Sequence, residues 1–249
     1  MSEKVVFENS NGLKLVGDYY SSDSGKCVIM CHGFCANKNR VRTIKAAESY
    51  NNIGLGVLRF NFGGSEGSYD SEITVENQVI DLNGAIEFMT DSGYKEVFLQ
   101  GESMGGLVVL KSYPNYKKLV RGMILWAPVT KGKDLMEDVA EQIKLKTEDL
   151  GKKGFVVKHK DDKDFVIPMK YFEERLNVDQ RDLLGNVICP VLILHGDNDD
   201  TVPLEDSKGA IKIFDNGKLA IINGSGHKFE GFENELIRIS SDWLGSICN

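Results

Sequence analysis

A serine with a glycine two residues away on each side stands at residues 101–105, in the order Gly-Glu-Ser-Met-Gly. Residues 96–100 before it are rich in the apolar types of a buried strand, and residues 106–111 after it are typical of a buried helix. At a sharp strand-to-helix turn, the glycines leave room for neighbouring backbone, and the helix N-terminus favours negative charge. The pattern predicts Ser103 as the nucleophile of an acyl-transfer hydrolysis.

A serine hydroxyl needs a base that removes its proton. The sequence contains four histidines: His32, His159, His195 and His227. In proteins with such a turn, the acid and then the histidine follow the serine along the chain, and only His227 lies beyond a suitable acid. His227 ends the glycine-rich segment 223–227, after an apolar run at residues 218–222. We therefore predict His227 as the base; the alternative is a solvent-exposed loop histidine.

The acid that orients this histidine should follow the apolar strand at residues 191–194. Three aspartates compete in that loop: Asp197, Asp199 and Asp200. The chosen carboxylate has to hold the histidine in the correct tautomer and stabilise its protonated form. An aspartate that does not do this could order the loop by accepting backbone N–H groups.

These motifs together resemble the α/β-hydrolase superfamily. Its acid commonly lies in a G-x-x-D-x-x-V-P segment, and that pattern falls on Asp199 in residues 196–203. The resemblance implies that Asp199 is the acid and that Asp197 orders the turn, with Asp200 as a third choice. It also implies an α/β fold with a mostly parallel central sheet flanked by helices.

An acyl-transfer site also needs two N–H donors for the oxyanion. The N–H after the nucleophile belongs to Met104. The second donor should come from the loop after the strand at residues 27–31, and the resemblance assigns it to the N–H of Phe34. In that assignment His32 and Gly33 shape the loop, although His32 stays a minor alternative for the base.

The surrounding pattern alternates between strands and helices, as expected of a parallel sheet covered on both faces. We predict an N-terminal hairpin around a type I′ turn at Asn11-Gly12. Helices are expected at residues 74–89 and 232–244. The other strands are predicted at residues 27–31, 56–60, 97–100, 123–126, 191–194 and 219–222.

The interval between the strands at residues 123–126 and 191–194 is longer than a simple crossover needs. We therefore predict a hydrolase core at residues 1–129 and 187–249 and an inserted cap at residues 130–186. The cap should contain a helix at residues 135–145 and a hairpin of residues 154–159 and 165–167. Such a cap would line the substrate pocket at the C-terminal edge of the sheet. The alternatives are a surface elaboration or an oligomer contact, which leaves a homodimer open.

More narrowly, the chain resembles bacterial carboxylesterases that include the feruloyl and cinnamoyl esterases. The resemblance rests on residues 31–40, the serine turn, the cap, residues 195–199 and Gly226-His227. It implies cleavage of short-chain or hydroxycinnamoyl-type esters through an acyl-enzyme on Ser103. An amide hydrolase with the same triad and a non-catalytic binding protein remain as rivals. The predicted substrate-binding residues are Gly33, Trp126, Phe155, Phe165, Met169 and Phe172.

Composition restricts the partners. The net charge of −7 without a basic stripe argues against nucleic acid and anionic membranes. Five scattered cysteines give neither a disulfide framework nor metal spacing, and the start of the chain lacks a signal-peptide pattern. We expect a cytoplasmic protein that acts on a small-molecule ester and needs no metal or organic cofactor.

Overall fold

The structure is a computed structural model that describes residues 2–134, 136–146 and 150–248. In chain order its strands are β1 (Glu3–Glu8), β2 (Lys14–Tyr20), β3 (Lys26–Cys31), β4 (Gly56–Phe60), β5 (Glu96–Glu102), β6 (Val120–Trp126), β7 (Phe155–Lys160), β8 (Lys163–Pro168), β9 (Val191–Gly196) and β10 (Gly217–Ile222). Its helices are α1 (Val41–Asn52), α2 (Val75–Asp91), α3 (Met104–Tyr116), α4 (Met136–Gln142), α5 (Leu150–Lys153), α6 (Met169–Leu176), α7 (Gln180–Leu184), α8 (Leu204–Ala210) and α9 (Glu233–Ile247).

Eight strands in the described part of the chain form one sheet, in the order β1-β2-β4-β3-β5-β6-β9-β10. Strand β2 runs antiparallel to both of its neighbours, and the pairs from β4 to β10 are parallel. The predicted α/β fold with a mostly parallel sheet is confirmed. Because all the parallel strands end at the same edge, the loops after β3, β5, β9 and β10 can meet there.

Alternate residues of the central strands pack on opposite faces of the sheet. In β3, Ile29 joins the core under α2 and α3, whereas Met30 joins the core under α1 and α9. This alternation follows from the two-residue period of a strand, and burial of both faces explains why the strands have continuous apolar runs. The predicted helices at residues 74–89 and 232–244 correspond to α2 and α9.

The N-terminal hairpin has a different turn from the predicted one. Gly12 has a positive φ of 73°, but Asn11 does not, and a type I′ turn needs positive φ at both central residues. The N–H of Gly12 donates to the carbonyl of Asn9, and the Asn9 side-chain oxygen accepts the N–H groups of Asn11 and Leu13. The Asn9 side chain thus stabilises a longer loop that needs only one left-handed residue.

The segment between β6 and β9 contains the predicted hairpin, β7 and β8. Its two turn residues, Asp161 and Asp162, both have positive φ, at 52° and 58°. Before it, α4 occupies part of the helix predicted at residues 135–145, and the first residue of that prediction, Leu135, lies outside the described residues. We refer to residues 130–186 as the insertion, and its limits stay a prediction.

The insertion is attached to the core at the start of α2. The carbonyl of Val166 in β8 accepts the N–H of Ile73 at 2.8 Å. The carboxylate of Glu174 in α6 accepts the first N–H groups of α2, from Val75 at 2.6 Å and Glu76 at 3.1 Å. A carboxylate at a helix N-terminus stabilises the helix through its unpaired N–H groups and its dipole. Within the part of the chain that is described, no helix is both long and apolar enough to cross a bilayer.

Candidate active site

Ser103 occupies the turn between β5 and α3. Its φ of 52° lies in the left-handed region, which residues other than glycine rarely adopt. Its N–H donates to the carbonyl of Trp126 at 2.8 Å, and its carbonyl accepts the N–H of Val129 at 3.0 Å. These bonds attach the turn to the end of β6 and to the loop that follows. The unusual conformation of Ser103 is therefore maintained by the neighbouring strand.

Two glycines allow this turn to pack closely, as the sequence predicts. A Cβ atom on Gly101 would lie 2.5 Å from the carbonyl oxygen of Gly105. A Cβ atom on Gly105 would lie 2.5 Å from the carbonyl oxygen of Cys31 at the end of β3. Both distances are shorter than carbon and oxygen tolerate, and the obstructing atoms are backbone, which cannot rotate away.

We expect Gly105→Ala to lower the free energy of unfolding by about 3 kcal/mol, because the added methyl group forces β3 and α3 apart. Urea denaturation of the purified variant measures this change. Gly245→Ala in α9 is the matched control, since a Cβ there meets nothing within 4 Å in the described structure. The control should be neutral or more stable by up to about 1 kcal/mol. Equal stability of the two variants would contradict the steric argument.

The structure brings Ser103, His227 and Asp199 into one hydrogen-bonded row. The distance from His227 Nε2 to Ser103 Oγ is 3.0 Å, and the distance from His227 Nδ1 to Asp199 Oδ2 is 2.8 Å. Ser103 follows β5, Asp199 lies in the loop after β9, and His227 lies in the loop after β10. These three strands end at the same edge of the sheet. The Asp199 side chain is fully buried, and that of His227 is 14% exposed. Such a row can transfer a proton from the serine to the imidazole.

Asp199 accepts more hydrogen bonds than the one from His227. Its Oδ1 accepts the backbone N–H groups of Thr201 and Val202, each at 2.8 Å. Its Oδ2 also lies 3.1 Å from Nε2 of His195. Burial alone would raise the pKa of the Asp199 carboxyl, but the hydrogen bonds from His195, His227 and Val202 hold this pKa well below its usual range. Asp199 is thus ionised at any pH at which a hydrolase works.

His195 is a second histidine that binds Asp199, and the sequence did not predict this contact. Its ring is fully buried at the end of β9, with Nδ1 2.7 Å from Ser207 Oγ and Nε2 3.0 Å from the carbonyl of Val202. Because both Val202 O and Asp199 Oδ2 are acceptors, Nε2 carries the proton and Nδ1 accepts from Ser207. The available signal was a polar residue inside an otherwise apolar strand.

The other two aspartates of this loop face away from the histidine. Asp197 Oδ1 accepts the N–H of Gly224 at 2.6 Å, so Asp197 links the β9 loop to the loop that carries His227. Asp200 is exposed and its side chain contacts Thr201 and Lys144. The geometry therefore favours Asp199 for the position next to the histidine.

Phe34 and Met104, whose N–H groups are the two predicted oxyanion donors, line the same cavity as Ser103. Gly33 approaches the turn so closely that a Cβ atom on it would be 3.4 Å from the Ser103 Cβ. In the described part of the chain, the N–H groups of Phe34 and Met104 have no hydrogen-bond acceptor. Two unpaired donors beside a nucleophile can bind a developing oxyanion.

His32 has a structural position. Its ring is buried, with Nδ1 2.9 Å from the Gly33 carbonyl, and Nε2 accepts the N–H of Phe62 at 3.2 Å. Burial lowers the pKa of His32 to about 4, so the ring is neutral near pH 7. His159 is an exposed residue of β7 that pairs with Asp164. Neither histidine contacts Ser103.

A cavity of about 250 Å³ opens next to Ser103, and we call it the Ser103 cavity. Ser103, Met104, Gly33 and His227 form part of its wall. Apolar contacts come from Phe34 and Tyr171, whose ring centroids are 5.0 Å apart, and from Val129 and Ile143. The residues that the insertion contributes to the wall are Gln142, Ile143, Lys144, Lys158, Lys160, Tyr171 and Arg175.

Five of the six predicted substrate-binding residues lie outside this cavity, and only Gly33 lines it. Trp126 is fully buried in the core between the sheet and helices α1 and α9, where its indole N–H donates to Ser240 of α9. Phe165 and Phe172 are buried in the core beneath the insertion, because large apolar side chains gain most from leaving water. Met169 packs against the same core. Phe155 is half-buried at the start of β7.

Instead of the predicted aromatic residues, several cations line the cavity, together with Phe34 and Tyr171. Lys158 and Lys160 extend from β7, and Arg175 extends from α6. Arg42 binds the carboxylate of Glu102, with an Nε to Oε2 distance of 3.1 Å. Among the described residues there is no cluster of three or more His, Cys, Asp or Glu residues that could hold a metal ion.

Comparisons with known proteins identify the family and the fold of the chain. The sequence profile of the serine aminopeptidase S33 family (Hydrolase_4) matches residues 22–235. A serine hydrolase, BPHL of Mus musculus, is 26% identical over an alignment of 174 positions that covers 66% of this chain and 60% of that protein. This chain therefore spans about 60% of the length of that curated relative.

Solved structures of esterases have the same fold. Est1E from Butyrivibrio proteoclasticus, solved with ferulic acid bound, superposes with a TM-score of 0.82 at 20% identity and covers 98% of each chain. The esterase EaEST from Exiguobacterium antarcticum gives a TM-score of 0.77 at 19% identity, over 97% of this chain and 99% of its own. At these identities the likeness establishes the fold alone. The profile match covers most of the sequence, and this chain belongs to the serine aminopeptidase S33 family of α/β-hydrolases.

Proposed function

We propose that this protein is a serine hydrolase that cleaves carboxylic esters through an acyl-enzyme on Ser103. The observation that carries the proposal is the row from Ser103 Oγ to His227 Nε2 at 3.0 Å and from His227 Nδ1 to Asp199 at 2.8 Å. The unpaired N–H groups of Phe34 and Met104 beside the serine add support. A nucleophile, a base, an orienting acid and an oxyanion site form a complete set for acyl transfer.

In the first step, His227 Nε2 takes the proton of Ser103 as Oγ attacks the ester carbonyl carbon. The carbonyl oxygen becomes an oxyanion and accepts hydrogen bonds from the N–H groups of Phe34 and Met104. His227 then gives the proton to the departing alcohol, which leaves an ester between the acyl group and Ser103. Ionised Asp199 stabilises the imidazolium that forms between these two transfers.

In the second step, His227 removes a proton from water as the water oxygen attacks the acyl carbon. The second tetrahedral intermediate uses the same two N–H donors. It collapses with the return of the proton from His227 to Ser103 Oγ, which releases the carboxylic acid and restores the enzyme. A cavity of about 250 Å³ with Phe34, Tyr171 and Ile143 in its wall suits a short-chain or single-ring acyl group.

An aminopeptidase activity is the second candidate, because the matching family is described as serine aminopeptidase S33. Such a substrate has a protonated amino group next to the scissile bond, which a site recognises with unpaired carboxylates or other acceptors. The carboxylate beside the nucleophile, Glu102, is bound by Arg42, and other cations line the cavity. This electrostatic environment supports the ester proposal over the aminopeptidase one.

The two candidates predict different activity profiles. We expect hydrolysis of 4-nitrophenyl esters of short acyl chains, with kcat/KM at least about a hundredfold above that for aminoacyl 4-nitroanilides. A fluorophosphonate probe should label the protein once, and peptide mapping should place the label on Ser103. Faster cleavage of the anilides would favour the aminopeptidase. Absence of both labelling and turnover would contradict any serine hydrolase.

A further inference from the structure

The Ser103 cavity has the opposite charge to the protein as a whole. The chain has a net charge of −7, yet the cavity wall contains far more lysine and arginine than aspartate and glutamate. Glu102 is the carboxylate in the described wall, and Arg42 binds it. Further wall cations that pair with a carboxylate are Arg40, Lys144 and Lys228. Three wall cations have no such partner among the described residues, so the described wall carries an excess of positive charge.

Two of these three cations are neighbours on one strand. Lys158 and Lys160 lie two residues apart in β7, so their side chains share the face that also carries buried Val156. Both are half-buried. The Lys158 ammonium donates to the carbonyl of Ile143 at 2.5 Å, and the Lys160 ammonium donates to the carbonyl of Cys35 at 2.7 Å. In the part of the chain that the structure describes, neither forms an ion pair.

These two ammonium groups lie close to the predicted oxyanion loop. Lys158 Nζ is 5.3 Å from the ring centroid of Phe34, and Lys160 binds the carbonyl of the next residue, Cys35. Asp161 follows Lys160 in the chain, but its carboxylate pairs with Arg40. An ammonium group has three N–H donors. One carbonyl therefore leaves donors on each lysine for a ligand.

The third cation, Arg175, is more deeply placed. It is 1% exposed, and its guanidinium donates to the side-chain oxygen of Gln142 at 2.7 Å and to the carbonyl of Lys131 at 3.5 Å. None of the described carboxylates forms an ion pair with it; burial lowers the pKa of Arg175, and the charge of the more distant Asp206 offsets only part of this effect. Burial of a charge is unfavourable unless an opposite charge or several hydrogen bonds compensate it. Partly or fully buried cations that share a cavity with a nucleophile therefore indicate a ligand that brings the negative charge.

We propose that the natural substrate is an ester with an anionic substituent, which Lys158 and Lys160, with Arg175 deeper in the wall, hold in the Ser103 cavity. This inference rests on the proposed esterase function and narrows its substrate class. The negative charge lies on either the acyl or the alcohol side of the ester. A carboxylate is the smallest substituent that tests either position.

The test compares esters that differ in charge but little in size. For the acyl side, the pair is mono-4-nitrophenyl adipate and 4-nitrophenyl heptanoate. For the alcohol side, the pair is 4-acetoxybenzoate and 4-acetoxybenzamide. After correction for spontaneous hydrolysis, we expect kcat/KM for the anionic member of one pair to exceed that of its neutral partner by at least about tenfold. This preference should decline as the salt concentration rises.

Variants then test whether the lysines cause the preference. Lys158→Met, Lys160→Met and the double variant retain an apolar side chain and remove the charge. The ratio of anionic to neutral kcat/KM should fall about tenfold in the double variant, mainly through KM. Lys118→Met removes the same charge from an exposed position outside the cavity, and it should leave the ratio unchanged.

The possible results separate the two proposals. If the wild-type protein cleaves none of these esters, the proposed esterase function is overturned. Cleavage of neutral esters with no anionic preference in either pair would overturn only the present inference. Equal losses for both members of a pair in the lysine variants would mean that the lysines only hold the loops, which also overturns it. If the double variant does not fold, the wild-type ratio and its salt dependence still decide.

Discussion

Ser103→Ala is expected to lower kcat for ester hydrolysis by about a millionfold. The change removes the only oxygen within reach of His227 Nε2 in the described site, so no acyl-enzyme can form. The cavity and the N–H groups of Phe34 and Met104 remain. A residual rate about a thousandfold above the uncatalysed reaction is therefore expected from binding and oxyanion stabilisation. Single-turnover and steady-state assays with a 4-nitrophenyl ester measure both rates.

The matched control for this variant is Ser246→Ala, a serine of α9 whose hydroxyl donates to the carbonyl of Trp243. Ser246→Ala should retain the wild-type kcat. Its thermal unfolding midpoint should equal that of Ser103→Ala. His227→Ala should lose nearly as much activity as Ser103→Ala, and the double variant should lose no more than either alone, because the two residues act as one unit. Retention of more than about a hundredth of the wild-type kcat in a folded Ser103→Ala protein is incompatible with the mechanism.

The turn at Ser103 and the loops that carry Asp199 and His227 followed from local features of the sequence, whereas the choice of Asp199 among three aspartates came from the family resemblance. The glycines around Ser103 are explained by backbone contacts of 2.5 Å, and such contacts exclude every side chain whatever the rest of the protein looks like. The loops with Asp199 and His227 follow short apolar strands, and parallel strands end at one edge. The fold and the approach of these three loops to one another were therefore predictable without knowledge of the packing.

The wall of the cavity was not predictable in the same way. Trp126 ends a strand whose two faces are both buried, so the apolar run contains no alternation that tells which face the indole occupies. In the insertion, Phe165 and Phe172 pack into the hydrophobic core. The long side chains of Lys158 and Lys160 reach the cavity instead. Composition showed only mixed charges there.

The turns illustrate the same limit. Asn11-Gly12 has the residues of a type I′ turn, yet the Asn9 side chain accepts two backbone N–H groups and stabilises a longer loop. The turn between β7 and β8 consists of Asp161 and Asp162 and contains no glycine, yet both residues adopt positive φ. Pairing of the flanking strands and nearby side-chain acceptors decided these turns. Dipeptide preference alone did not.

Asp199→Asn should lower kcat about ten-thousandfold, with little change in the position of the loop. An asparagine oxygen can still accept the N–H groups of Thr201 and Val202, which Asp199 Oδ1 accepts at 2.8 Å. The amide that replaces Oδ2 is a donor, however, so it cannot accept the Nδ1 proton of His227. The imidazole then favours the tautomer with its proton on Nε2, which cannot remove a proton from Ser103.

Asp197→Asn is the control that separates this effect from a general change in the loop. Its side-chain oxygen can still accept the N–H of Gly224, and the substitution removes the same charge two residues away. We expect Asp197→Asn to retain kcat within about tenfold of the wild-type value, in contrast to the ten-thousandfold loss at Asp199. Similar losses in the two variants would mean that the substitutions disturb the loop in general and that Asp199 has no special role. A larger loss at Asp197 would identify Asp197 as the acid.

The pH dependence of the Asp199 variant provides an independent check. Because hydrogen bonds from His195 and His227 outweigh burial and lower the pKa of Asp199, its charge stabilises the folded state above the unfolded pKa of about 4. That stabilisation is lost only as the pH falls toward the lowered pKa. The stability of Asp199→Asn, measured by urea denaturation at each pH, should therefore decline less between about pH 4 and 2 than that of the wild type. An equal decline in the two proteins would mean that the Asp199 carboxyl has an ordinary pKa in the folded state, contrary to the hydrogen bonds around it.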